Sequence, residues 1–97
     1  MILPIHWSAE AEDTFADIIT HLELNWSEKE VRKFFRTTRD VLKQISSFPL
    51  MYKASKSRRE IRRGFLTKQC SLFYEVKEDH ILLLYFWDNR RKPTSRN

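Results

Sequence analysis

Arginine and lysine are the only side chains that this chain gathers densely enough to suggest a chemistry. Lys53, Lys56, Arg58, Arg59, Arg62, Arg63 and Lys68 stand together, opposed only by Glu60, and Arg90, Arg91, Lys92 and Arg96 form a second group. Arginine forks grip carboxylate or phosphate oxygens bidentately, and Tyr52, Tyr74, Tyr85 and Trp87 are of a kind that can stack on bases. Tyr74, Tyr85 and Trp87 lie in apolar runs, however, where aromatic rings are first of all core. His6, His21 and His80 are scattered, with no HxxxH or HxH spacing, so no metal is expected. Cys70 has no nucleophile motif around it and reads as an interior residue at a strand start. Glu10, Glu12, Asp13 and Asp17 crowd one segment, which suits helix capping and solvation better than paired-carboxylate catalysis. An enzyme made from these residues would depend on Arg, Lys and Tyr, and its reaction would be a cleavage in which cations stabilise developing phosphate charge.

The totals narrow the possibilities. Ninety-seven residues, 41% hydrophobic and 13% aromatic, fit one small domain over residues 1–97 with a single core. One cysteine rules out an internal disulfide and agrees with a reducing cytoplasm. One glycine, Gly64, rules out a glycine-rich phosphate loop or dinucleotide fingerprint, so no cofactor is expected. The start, Met1-Ile2-Leu3-Pro4, has no basic leader region, and no apolar window reaches the roughly 18 residues of a spanning helix. The expectation is a soluble, unexported protein with no membrane role. The net charge of +5 is uneven: residues 1–50 hold six Lys/Arg against eight Asp/Glu, residues 51–97 hold twelve against five, and the halves sum to −2 and +7. A positive field clustered in this way draws an acidic or polyanionic partner.

Several elements must position these cations. Ser71 to Lys77 and His80 to Trp87, separated around Glu78-Asp79, predict a β-hairpin. The unbroken apolar run Ile81 to Trp87 predicts its second strand at the sheet centre, covered on both faces or nearly so. Asp88-Asn89-Arg90-Arg91 then places charge where that strand leaves the core. Ile2 to Trp7 predicts a short first strand, which Pro4 confines to an edge. Ser8 caps a first helix whose apolar set Ala11, Phe15, Ile18, Ile19 and Leu22 keeps helical period to about Leu24. Ser27-Glu28-Lys29-Glu30 is a capping box, with Trp26 and Val31 spaced as a staple, opening a second helix that runs to Ser46-Ser47 before Phe48-Pro49. So short a connection predicts an antiparallel helical hairpin. Leu50 to Ser57 reads as a loop, and Arg58 to Leu66 as a strand with Gly64 at a bulge or a close approach of backbones. Along that strand Arg62 and Arg63 must point to opposite faces, so only one meets a partner. The order β-α-α-β-β-β predicts an α+β fold, a helical hairpin packed on a twisted, mainly antiparallel four-stranded sheet, with a loose tail from about 93.

Trp7-Ser8-x-x-Ala11-Glu12, Asn25-Trp26-Ser27, Phe48-Pro49, Arg62 followed by Tyr74, and Ile81 to Arg90 ending in Trp87-Asp88-Asn89-Arg90 occur in this order. In these features the chain resembles the RelE/ParE toxins of bacterial type II toxin-antitoxin pairs, including plasmid stabilisation proteins, over nearly its whole length. The resemblance implies a small basic toxin silenced by a cognate antitoxin whose C-terminal segment is acidic or partly disordered. It also implies one of two activities: RelE-like cleavage of mRNA at the ribosome, or ParE-like growth arrest through DNA gyrase without cleavage. Arg62 and Arg90 match arginines of the family. Asp88 stands where many members have His, and no Tyr follows Arg91, which points away from RNA cleavage. The expected partner-binding residues are therefore Arg58, Arg59, Arg62, Arg90 and Arg91; were the chain a ribonuclease, its catalytic candidates would be Arg62, Arg63, Lys68 and Arg90.

Overall fold

A computed structural model describes residues 2–90. Arg91 and the predicted loose tail lie outside the described residues. The elements run β1 (Ile5–Trp7), α1 (Ala9–Asn25), α2 (Glu28–Ser47), β2 (Ile61–Thr67), β3 (Cys70–Val76) and β4 (Ile81–Asp88). The order is the predicted one, with two helices on a four-stranded sheet, β1-β4-β3-β2. β2, β3 and β4 pair antiparallel, and β1 joins β4 in parallel as a three-residue edge.

Both helices start as the sequence predicts. Ser8 accepts from Ala11 N–H at 2.9 Å, and Ser27 accepts from Glu30 N–H at 3.3 Å, each satisfying a donor that a helix start leaves open. The hairpin closes through Phe15, whose ring lies 5.8 Å from Phe34 and 5.6 Å from Phe35. One core unites Ala11, Phe34 and Ile45 of the helices with Leu66, Leu72, Tyr74, Ile81, Leu83 and Phe86 of the sheet.

The central strand contains an irregularity that the sequence does not disclose. Phe73 pairs with Tyr85 but Tyr74 pairs with Leu83, so Leu84 is an extra residue and β4 bulges there. The bulge resets the alternation, and Ile81, Leu83 and Phe86 all turn inward. α1 fastens it: Ser8 Oγ donates to Leu84 O at 2.8 Å, and Phe86 N–H donates to Thr14 Oγ1 at 2.9 Å. Two predicted features need correction here. Among the described residues, coverage of Ile81 to Trp87 is one-sided, because both helices pack on the same face and the intervening residues remain half-buried. The strand predicted to begin at Arg58 begins at Ile61, because Ile61 N–H closes a turn on Arg58 O at 3.0 Å and Arg58 Nε binds Glu60 at 2.7 Å.

Residues 52–55, read from sequence as loop only, strap the free edge of β2. Ala54 bridges Arg62, Ser55 N–H donates to Ile61 O at 2.6 Å, and Arg63 N–H donates to Lys53 O at 3.4 Å. Gly64 marks a close approach: the Tyr52 ring fills the place of its missing side chain.

Candidate functional site

The two basic segments do not gather on one side of the sheet. Strand alternation and the strap disperse them. Arg62 lies beside Tyr74 in the pairing register, half-buried at the sheet rim, and its Nη1 donates to Tyr52 O at 2.7 Å. Arg63, the next residue, emerges on the opposite face and is exposed. Arg58 and Arg59 are exposed in the turn before β2, with Arg58 engaged by Glu60. Arg90 is gripped by Asp88 through two side-chain contacts, 3.0 Å from Nε to Oδ1 and 2.9 Å from Nη2 to Oδ2. The Arg90–Asp88 pair and Lys68 line a groove of about 570 Å³ between the helices and the β2–β3 turn, with His21, Trp26 and Lys33 across it.

On the face away from the helices, Arg63, Phe73 and Tyr85 stand side by side across three strands, as do Phe65, Ser71 and Trp87. Phe65 is 51% exposed there. The Arg63 guanidinium lies 5.0 Å from the Phe65 ring centre and 5.6 Å from that of Phe73, within cation–π range. Its Nε donates to Ser71 Oγ at 3.0 Å, and its Nη2 donates to Asn89 Oδ1 at 2.9 Å. Ser71 Oγ in turn donates to Asn89 Oδ1 at 2.9 Å, and Asn89 N–H donates to Gln69 O at 2.6 Å. Sequence reasoning singled out neither Ser71 nor Asn89 as a site residue. The one available signal was a polar serine that opens an apolar strand, opposite an arginine strand and close to the polar exit of β4.

The phenol of Tyr74 and the thiol of Cys70 are not poised for acid–base chemistry. Tyr74 is fully buried, donates to Pro49 O at 2.9 Å, and burial pushes its phenol up to about 12. Burial likewise pushes the Cys70 thiol up to about 12, which keeps it protonated and unreactive near neutral pH. His6 and His80, scattered in sequence, are brought together by the parallel pairing of β1 with β4 and stack at 4.4 Å, at the other end of the sheet from Asn89. Among the described residues no three His, Cys, Asp or Glu side chains form a group that could hold a metal. Nor is any helix among them long and apolar enough to cross a membrane.

A second groove, of about 440 Å³, follows the β1 edge and the hairpin. Ile5, Trp7, Phe15, Phe35 and Leu42 form its apolar floor, with Arg39 and Lys43 beside them.

Residues 5–93 match the family described as the ParE toxin of type II toxin-antitoxin system, parDE. No curated protein matches the chain. Among solved structures, the chromosomal ParDE toxin-antitoxin system from P. aeruginosa superimposes with a TM-score of 0.75 at 15% identity, covering 90% of this chain and 96% of that one. The YoeB dimer from Staphylococcus aureus gives 0.64 at 17%, covering 90% and 97%. The conserved hypothetical protein HP0894 from Helicobacter pylori gives 0.63 at 18%, covering 93% and 98%. At these identities the structural likeness concerns the fold.

Proposed function

The chain belongs to the ParE toxin family of type II toxin-antitoxin systems, and within it we propose a toxin that arrests growth through DNA gyrase, cleaves no RNA, and acts in the cytoplasm. The observation that carries this reading is the dispersal of the candidate cations. Arg62 is engaged by Tyr52 O, Arg90 is engaged by Asp88, and Arg63 emerges on the sheet face opposite Arg62. Cleavage of RNA needs cations converging on one phosphate with a proton donor or acceptor in reach. A surface that only has to bind a protein needs neither.

The family pairs each toxin with a cognate antitoxin. We assign the antitoxin to the groove along β1 and the hairpin, where an acidic, partly disordered segment would lay apolar side chains on Trp7, Phe15 and Phe35 and carboxylates against Arg39 and Lys43. The edge of β1 beside it offers backbone groups for an added strand.

The test adds purified protein to a gyrase supercoiling assay and, in parallel, to a translating extract whose message ends are mapped. Blocked supercoiling with intact messages is the expected result. Cuts that depend on translation, with supercoiling unaffected, would replace this reading by a RelE-like ribonuclease.

A further inference from the structure

The sheet face away from the helices has a buried polar group in a largely apolar strand. Ser71 is 0% exposed, yet it sits in an apolar strand between Arg63 and Asn89 with its hydroxyl both accepting and donating. Asn89 Oδ1 accepts from both Ser71 and Arg63, and Asn89 is itself held by Gln69 O and, at 3.4 Å, by Lys68 O. Among the described residues, every acceptor of Arg63 is therefore neutral. Arg58 and Arg90 lie against carboxylates, whereas Arg63 forms no ion pair among the described residues. The network orients the guanidinium, and no described carboxylate cancels its charge. Nε and Nη2 point inward, and Nη1 has no hydrogen-bond partner among the described residues.

We infer that Ser71 and Asn89 are positioning residues that hold the Arg63 fork on this face as a recognition point for an acidic side chain of the toxin's protein target. The inference rests on the gyrase reading above. A protein carboxylate fits this site better than a nucleic acid strand does. Nucleic acid binding is built from several phosphate contacts along a track of cations, and here the neighbouring Arg90 is paired while Lys68 lines the groove on the helix side. Phe73 and Tyr85 already stack on each other at 4.7 Å, which leaves less ring face for bases. A single oriented arginine among partly exposed aromatic rings is the composition of a protein-binding hot spot.

The experiment measures inhibition of purified bacterial DNA gyrase by the wild-type chain, Arg63→Gln and Asn89→Asp, with thermal midpoints alongside. Asn89→Asp retains an oxygen acceptor of nearly the same shape but sets a negative charge against Arg63. If Asn89 only supported the fold, inhibition would survive. Recognition through Arg63 predicts that both variants need at least about tenfold more protein for half-inhibition, with midpoints well above the assay temperature showing that both are folded. Added salt is expected to weaken wild-type inhibition more than that of Arg63→Gln. Wild-type-like inhibition by either variant would overturn the inference while leaving the gyrase reading intact. A wild-type chain inert towards gyrase would overturn both. Arg63-dependent retention of a labelled single-stranded oligonucleotide, with gyrase inhibition unchanged in Arg63→Gln, would make the face a nucleic acid site and overturn the inference alone.

Discussion

The ring of Tyr52 occupies the space in which Gly64 would carry a side chain: a Cβ there would lie 3.0 Å from Tyr52 Cε2 and 3.1 Å from Cδ2. The glycine is needed for this approach and not for an unusual backbone angle, since no residue described has a positive φ. Gly64→Ala is expected to push Tyr52 outward and loosen the strap over β2, costing about 1–3 kcal/mol. For a domain of this size each kcal/mol lowers the melting midpoint by roughly 4–8 °C. In a Tyr52→Ala background the same change should cost less, and an equal cost in both backgrounds would rule out the ring as the obstacle.

Arg62 and Arg63 are adjacent but should differ in what their mutation does to inhibition. Arg62→Gln removes the donor to Tyr52 O and is expected to destabilise the chain by about 1 kcal/mol, leaving the gyrase inhibition of the folded protein unchanged. Arg63→Gln gives up its bonds to Ser71 and Asn89 and is expected to cost about 1–2 kcal/mol, but also to reduce inhibition by the folded protein. Denaturant titration and a supercoiling assay on the same samples separate the two, and a loss of inhibition confined to Arg62→Gln would reverse the assignment.

Thr14 holds the β4 bulge by accepting from Phe86 N–H, and its hydroxyl also donates to Glu10 O at 2.7 Å. Thr14→Val keeps the shape and leaves the Phe86 amide without its acceptor, an expected loss of about 1–3 kcal/mol. Thr14→Ser should retain most of the stability. Amide exchange at Phe86 gives a local readout, and protection unchanged in Thr14→Val would refute the role.

The burial of Tyr74 and Cys70 predicts how stability responds to alkali. Both groups have folded values pushed up to about 12, above the 10.0 and 9.0 of their exposed forms. The unfolded chain therefore gives up these protons first. Their contribution is fully present below pH 9, declines as pH rises above 9 for the thiol and above 10 for the phenol, and is lost near 12. Equilibrium unfolding followed from pH 7 to 11 should be flat below 9 and fall beyond it. Tyr74→Phe, which removes the phenol that donates to Pro49 O, should flatten the part of the decline that starts at pH 10. A decline of the same size in that variant would trace it to other groups.

The elements were legible because their signals are local. Ser8 and Ser27 as caps, the period of Ala11 to Leu22 and the apolar run from Ile81 each act within a few residues, and each matches an observed element to within a few positions. The resemblance added the family. Less of the site could be read, since Arg63, Ser71 and Asn89 come from three different stretches and meet only through strand register.

Composition and short-range pattern thus determined on their own a basic α+β domain with a helical hairpin on a sheet, its cations concentrated in the second half. Tertiary structure alone decided which cations keep a free charge. Neutralisation is a matter of distances of a few ångströms: Asp88 closes on Arg90, while Tyr52 O takes up an Arg62 donor without cancelling its charge. Among the described residues Arg63 donates its side-chain hydrogen bonds to the neutral oxygens of Ser71 and Asn89, and strand pairing, bulge and strap set those distances between residues that the sequence keeps apart.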